Sequence, residues 1–441
     1  MKKMRLILSV LSFTLISFLH SNLFAQVVES RSISTYALEV IETLTSDEFE
    51  GRGYVNDGMK KSAEYIAEEF EKLGLDPIDG SYFQAFEMPI NIIKNAELTL
   101  NGEELNYGID FIVRPNSTSQ NFIKNDIYLF DPIDFSQSLI NQERFIEFIK
   151  KDMINQKNKH IVFPPIHFEI DSLNQYYKNW PTVYKAEENN NRSIFFFTAD
   201  KLNSSLSLFE DNVTQFFINK KFYSEDLSID YYKIDSEFVE DFKAHNVIGQ
   251  IKGENSDSII VITAHYDHLG RVGDTIFRGA SDNASGTAFI LDLAKHFTQY
   301  KPKFNLVFIA FAAEEAGLMG STYFVENPLI KLDEIKFLLN FDIMGAGEDG
   351  IQIVNSSIFI KEYELLNKIN ENKNLIKEIK KRGEACNSDH CPFYRKGVPS
   401  FFTYTLGGPG HYHDPLDTLE SLNLYGFENL KKLFIHFIEE L

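Results

Sequence analysis

The sequence predicts an α/β protein built on a mostly parallel sheet, with a mainly β domain inserted into it. Three observations carry this. Near-continuous apolar runs at 259–264, 306–312 and 337–342 read as strands buried on both faces. Segments of helical spacing alternate with these runs, and a short polar motif directly follows each. From about 88 to 240 the composition shifts to Asn, Lys, Phe, Tyr and Ile, with short β-rich runs and no chemical motif.

The elements follow in order. Lys2, Lys3 and Arg5 precede an apolar run from Leu6 to Leu19, and Ala25 suits a cleavage site. Residues 1–25 therefore read as a secretory signal peptide, and the mature chain is expected in the periplasm or outside the cell. The run is short for a bilayer span, and no later segment is long and apolar enough for one. Residues 26–90 form the N-terminal helical part. There SDEFEGRG at 46–53 marks a turn, and Met59, Ala63, Ile66, Ala67, Phe70 and Leu73 share one helical face. Glu64, Glu68, Glu69 and Lys72 occupy the other face, and Gly74 ends the helix.

Residues 91–240 are the insert, with strands expected at Ile161–Phe163, Ile194–Thr198 and Thr214–Ile218, a helix within 141–153 and an Asn-rich turn at 189–191. Residues 241–441 are the catalytic domain, in which strands at 247–251, 259–264, 306–312 and 337–342 alternate with helices at 286–300 and after Glu315.

Of 441 residues, 44% are hydrophobic and 24% charged, an ordinary globular balance. The net charge is −21, and loss of three cationic residues with the signal peptide takes it to −24. Such acidity repels phosphate backbones and argues against nucleic-acid binding. The two cysteines, Cys386 and Cys391, stand in one short loop. Export permits a disulfide between them, and two free or buried thiols are the alternative.

The chemistry concentrates in HYDHLG at 265–270, SDNASG at 281–286, AEEAG at 313–317, NFDIMG at 340–345, SDH at 388–390 and HYHDPLDT at 411–418. These supply His265, Asp282, Glu315, Asp342 and His413. Two imidazoles and three carboxylates suit Zn²⁺. One catalytic zinc takes three protein ligands and keeps an open position, so five ligands point to two metals sharing a carboxylate. Motifs at the carboxyl ends of neighbouring parallel strands can converge despite their separation in sequence. Composition alone does not decide which of Glu314 and Glu315 binds metal.

These motifs, in this order, resemble the M28 family of co-catalytic zinc peptidases. The resemblance covers about 240–441, and more weakly 30–90. It implies a three-layer α/β/α exopeptidase fold with two Zn²⁺ per chain: His265, Asp282 and Asp342 on one, Asp282, Glu315 and His413 on the other. It makes Glu314 the general base, Asp267 the carboxylate that orients His265, and Tyr412 a donor to the tetrahedral oxyanion. An extended chain would point Tyr412 and His413 apart. Asp389 and His390 are read as structural support, and His268 and His411 as packing or substrate-side residues. His296 and His436 read as surface or packing residues. Relatives often carry an acid at Ser281 and Thr at Asp414; the second departure alters local hydrogen bonding. The insert sits where many relatives carry a protease-associated domain.

The resulting expectation is a secreted zinc aminopeptidase acting on peptides. A carboxypeptidase or dipeptidase would use the same metals, a glutaminyl cyclase relative works with one zinc, and a non-catalytic binding ectodomain would need neither Glu314 nor a full ligand set.

Overall fold

The apolar runs lie side by side at the centre of one large mixed sheet. The computed structural model describes residues 33–124, 126–139, 142–149, 159–165, 193–198, 201–211 and 214–441. The expected signal peptide and the turn at 189–191 lie outside them.

Two helices lead in, α1 (Thr35–Leu44) and α2 (Gly58–Leu73). Helix α2 buries Met59, Ala63, Ile66, Ala67 and Phe70, and Gly74 closes it in the left-handed conformation at φ 84°. Glu69, expected on the solvent face, is instead buried, where it accepts from the Tyr36 hydroxyl and Lys72, each at 2.9 Å.

Strand β1 (Phe83–Leu100) then runs out of the sheet as one half of a long ribbon. The insert follows: β2 (Phe111–Val113), β3 (Ile127–Leu129), α3 (Pro132–Ser138), α4 (Gln142–Ile149), β4 (His160–Phe163), β5 (Ser193–Thr198) and β6 (Thr214–Asn219). Strand β7 (Ile229–Ile251) returns antiparallel to β1. The insert is strand-rich, yet β3, β4, β5 and β6 run parallel, with α3 and α4 between the first two. Its aromatic residues form core: Phe111, Phe195, Phe197 and Phe216 pack on Leu98, Tyr232 and Ile234 of the ribbon. Residues 141 and 150–153 of the expected 141–153 helix lie outside the described chain.

The C-terminal part continues with β8 (Asn255–His265), α5 (Gly286–Gln299), β9 (Phe304–Phe311), α6 (Met319–Glu326), β10 (Ile335–Phe341), β11 (Ile351–Val354), α7 (Ile360–Lys373), β12 (Ile379–Lys381), α8 (His390–Arg395), β13 (Ser400–Thr405) and α9 (Phe427–Glu440). The sheet order is β12-β11-β13-β10-β8-β9-β7-β1. The central four, β13, β10, β8 and β9, are parallel.

Alternation explains the unbroken apolar runs. In β8, Ile260, Ile262 and Ala264 face the core shared with α1, α2, α5 and α9, while Ile259 and Val261 face the core shared with α6 and α8. Helices therefore cover both faces, giving three layers. Each fully buried Leu, Ile or Phe contributes about 1.5–3 kcal/mol, so both faces must be apolar for the sheet to hold. Among the described residues no helix is long and apolar enough to cross a membrane.

Candidate metal centre

Parallel register brings the motifs to one edge of the sheet. His265 ends β8 opposite Phe311, the last residue of β9, and Asp342 follows β10 directly. Glu314 and Glu315 stand in the turn after β9, where Ala313 has φ 56°. Asp282 sits in the bend before α5, and His413 lies on the loop after β13.

All five expected ligands converge. His265 Nε2 lies 3.2 Å from Asp342 Oδ1 and 3.4 Å from Asp282 Oδ1. His413 Nε2 lies 3.3 Å from Asp282 Oδ2 and 2.9 Å from Glu315 Oε2. The two oxygens of Asp282 thus face one histidine each.

The opposite ring nitrogens are held by carbonyls. His265 Nδ1 lies 3.1 Å from Asp267 O, and His413 Nδ1 lies 3.0 Å from Ser204 O. A carbonyl accepts only, so each Nδ1 carries the proton and each Nε2 presents a lone pair to carboxylates. Buried His413 Nε2 makes no hydrogen bond. Lone pairs facing buried anions repel unless cations lie between them. With metal–ligand bonds of about 2.0 Å, neighbouring vertices of a tetrahedron are roughly 3.3 Å apart, close to the observed separations. The donor set therefore fits two cations bridged by Asp282. With protons alone to balance the charge, burial opposes ionisation of His413, yet Glu315 and Asp282 push its pKa up to about 11.

Glu314 is placed beside the first centre. Its oxygen, His265 and Asp342 offer ligand atoms within 4.8 Å of one another, as do His268, Asp282 and Glu315. Burial, despite nearby His265, raises the Glu314 pKa well above the carboxylate range, with help from Asp389 and Asp342. His268 Nδ1 meets Glu315 Oε1 at 2.7 Å, leaving Oε2 to face His413. His268 therefore orients Glu315, a contact more specific than the packing or substrate-side role expected of it.

Asp267 departs from its expected use. Its carboxylate is 3.8 Å from His265 Nδ1, and the closer contact is its own backbone carbonyl. The carboxylate instead accepts from the backbone N–H of Glu314 at 3.0 Å and of Glu315 at 3.3 Å, fixing the turn that carries both acids.

Further supports come from residues to which sequence reasoning gave no role. Asp417, inside HYHDPLDT, accepts from the N–H of Ser281 at 2.8 Å and of Asp282 at 3.0 Å. A relay from Thr263 through Asn340 and Ser388 reaches Asp342 Oδ2, leaving Oδ1 for the centre. Arg52, inside SDEFEGRG, is fully buried and donates to the carbonyls of Tyr266, Leu44, Arg278, Gly279 and Asp282. Membership of a quoted motif was the available signal for Asp417, Ser388 and Arg52.

Asp389 is wholly buried, and burial raises its pKa to about 7. His390 Nε2 lies 2.9 Å from Ala385 O and its ring stacks on Phe402. The His296 ring lies tilted against Tyr300 with centroids 4.9 Å apart, and His436 approaches Glu439 at 3.7 Å. Cys386 and Cys391 form a disulfide, with Cα atoms 5.0 Å apart, around this SDH loop.

Tyr412 and His413 do not point apart. His413 has φ 52°, and the two rings stack with centroids 3.9 Å apart. Tyr412 thereby lines a cavity of about 310 Å³ with Asp282, Glu314, Glu315 and Asp342. The loop is also tied to the insert. Ser204 N donates to His413 O at 3.0 Å, and Lys201 donates to Gly410 O and pairs with Asp414. His411 shares Asp414 at 3.3 Å.

Residues 246–438 match the sequence profile of peptidase family M28. The aminopeptidase YwaD of Bacillus subtilis is 28% identical over 203 residues, 41% of this chain and 41% of that protein. The aligned region thus spans about two fifths of that curated relative. A solved zinc aminopeptidase from Bacillus subtilis has a TM-score of 0.64 at 21% identity, covering 92% of this chain and 94% of that one. A peptidase M28 precursor from Shewanella amazonensis gives 0.66 at 16% identity over 95% of both chains. These structural likenesses establish the mixed α/β fold. The likeness to peptidase family M28 thus lies in the domain at 246–438.

Proposed function

We propose that the protein is an exported dinuclear zinc aminopeptidase. The observation that carries this is Asp282 lying between two imidazole Nε2 lone pairs, with Asp342 and Glu315 on the outer sides. His265, Asp282 and Asp342 would hold one zinc; Asp282, Glu315 and His413 would hold the other. Zinc, when bound, supplies a water of lowered pKa and polarises the scissile carbonyl.

Glu314 is the general base. It lies beside His265 and Asp342 without an assigned ligand role, and burial, which raises its pKa, favours its taking a proton. Glu314 accepts a proton as the water oxygen joins the carbonyl carbon, then delivers it to the leaving amine as the C–N bond breaks. The Tyr412 hydroxyl stays protonated, since burial and the surrounding acids raise its pKa, and it donates to the oxyanion. The amino-terminal direction is supported by the aminopeptidase name of the aligned relative. Export is supported by the signal-like residues 1–25 and by a disulfide, which persists in oxidising compartments.

The deciding experiment is a panel of amino-acid arylamides, their N-acetylated forms, and peptides blocked at either end. Cleavage that needs a free amino group and tolerates a blocked carboxyl terminus is the expected result. Cleavage of N-blocked peptides from the carboxyl end, or cyclisation of N-terminal glutamine with a single zinc, would replace this reading.

A further inference from the structure

Arg382 follows β12 and lines the same 310 Å³ space as Asp282, Glu314, Glu315 and Asp342. It is half-buried and held in place. Its backbone N–H donates to Ile353 O at 3.0 Å and to Ser356 Oγ at 2.9 Å. Its Nη1 donates at 2.9 Å to the Tyr404 hydroxyl, which donates in turn to Gln352 Oε1 at 2.7 Å. The guanidinium carbon also lies 5.9 Å from the Tyr404 ring centre. The partner that fixes Arg382 is thus a phenol rather than a carboxylate. A guanidinium offers five N–H donors in a fork suited to a carboxylate, and Tyr404 takes one.

The lining carries both charges: the acids are assigned to the candidate metal centre and its base, whereas the Arg382 guanidinium spends one donor on Tyr404. A volume of 310 Å³ is roughly 7 Å on an edge, about two residue lengths of extended chain. A ligand anchored at the metal centre therefore meets Arg382 within a residue or two.

We propose that Arg382 forms a carboxylate-binding subsite, so that preferred substrates carry a carboxylate within about two residues of the scissile bond. Resting on the peptidase reading above, this names its substrate class. The carboxylate has two sources: an acidic side chain, or the C-terminus of a dipeptide.

The test compares matched substrates differing only in that charge: Glu against Gln arylamide, Leu-Glu-amide against Leu-Gln-amide, and Leu-Ala against Leu-Ala-amide. The first two pairs report a side chain, the third a chain terminus. In the wild type at least one pair should favour the carboxylate by roughly ten- to a hundredfold in kcat/KM, the range of a charged hydrogen-bonded contact. Arg382→Gln should collapse that ratio, mainly through KM, and Arg382→Lys should restore part of it. Equal kcat/KM within every pair, or a ratio that Arg382→Gln leaves unchanged, would overturn the subsite. Calorimetric titration of the zinc-loaded protein with glutamate, glutamine, Leu-Ala and Leu-Ala-amide separates the two claims. Arg382-dependent carboxylate binding without turnover would retain the subsite and reject the peptidase; turnover without carboxylate preference would do the reverse.

Discussion

His413 donates from Nδ1 to the backbone carbonyl of Ser204 at 3.0 Å, across 209 residues of sequence. Ser204 returns the contact through its own N–H to His413 O. A side chain of the candidate metal centre is therefore aimed by a segment of the insert, and Lys201 ties the same two loops through Asp414 and Gly410 O.

Ser204→Pro removes the N–H, and Lys201→Ala removes the ion pair. Each should weaken zinc binding at the His413 site roughly 10- to 100-fold, the usual cost of losing a group that orients a ligand. Competition against a chelator of known affinity would measure it. The His265 site should hold its metal, giving two separated affinities; equal weakening of both sites would mean that the insert acts only on overall folding.

Replacing Glu314 tests the proposed division of labour between Glu314 and Glu315. Glu314→Gln should keep the wild-type metal content and lose about 10²–10⁴ in kcat. Metal analysis alongside turnover of an amino-acid arylamide checks both halves. Near-normal turnover would return the proton-transfer role to another group.

Arg52 satisfies five carbonyls from four parts of the chain, including the loop that carries Asp282. Arg52→Met keeps the length and removes every donor. The orphaned carbonyls should lower stability by about 3–5 kcal/mol, read from the urea midpoint of unfolding. A midpoint unchanged from wild type would mean that water replaces the guanidinium.

Much of this was legible in the sequence. The strand candidates at 259–264, 306–312 and 337–342 occupy the centre of the sheet, because a strand covered on both faces is apolar at most positions, and its few polar side chains, such as Thr263 and Asn340, are hydrogen-bonded. His265 and Asp342 converge because polar residues ending neighbouring parallel strands reach the same edge, and Glu315 follows in the next turn; Asp282 and His413 are brought in by longer connections. Other features left no sequence signal. Ser204 acts through its backbone, which no residue type encodes. The stacking of Tyr412 on His413 depends on a positive φ at a histidine, and Asp267 is diverted by two N–H groups set by the turn at Ala313. The parallel strands of the insert were unreadable because short β-rich runs do not reveal their partners.

A pH effect on stability follows from His390. Burial pushes its pKa from the ordinary 6.5 to about 4. The folded ring stays neutral where the unfolded one takes a proton. Its contribution is therefore complete above about pH 6.5 and is lost as pH falls towards 4, on the order of 3 kcal/mol in total. Urea unfolding across that window should show this slope, and His390→Gln should flatten it. An identical slope in the variant would assign the pH dependence to other groups.

The zinc stoichiometry of the purified chain, with and without Asp282, tests the bridged centre most directly. Elemental analysis should find two zinc per chain in the wild type, about one after His413→Ala, and weakened retention of both after Asp282→Ala. A wild-type chain that saturates at one tightly bound zinc, or an Asp282→Ala variant that keeps two at full affinity, would contradict a centre built on Asp282 between His265 and His413.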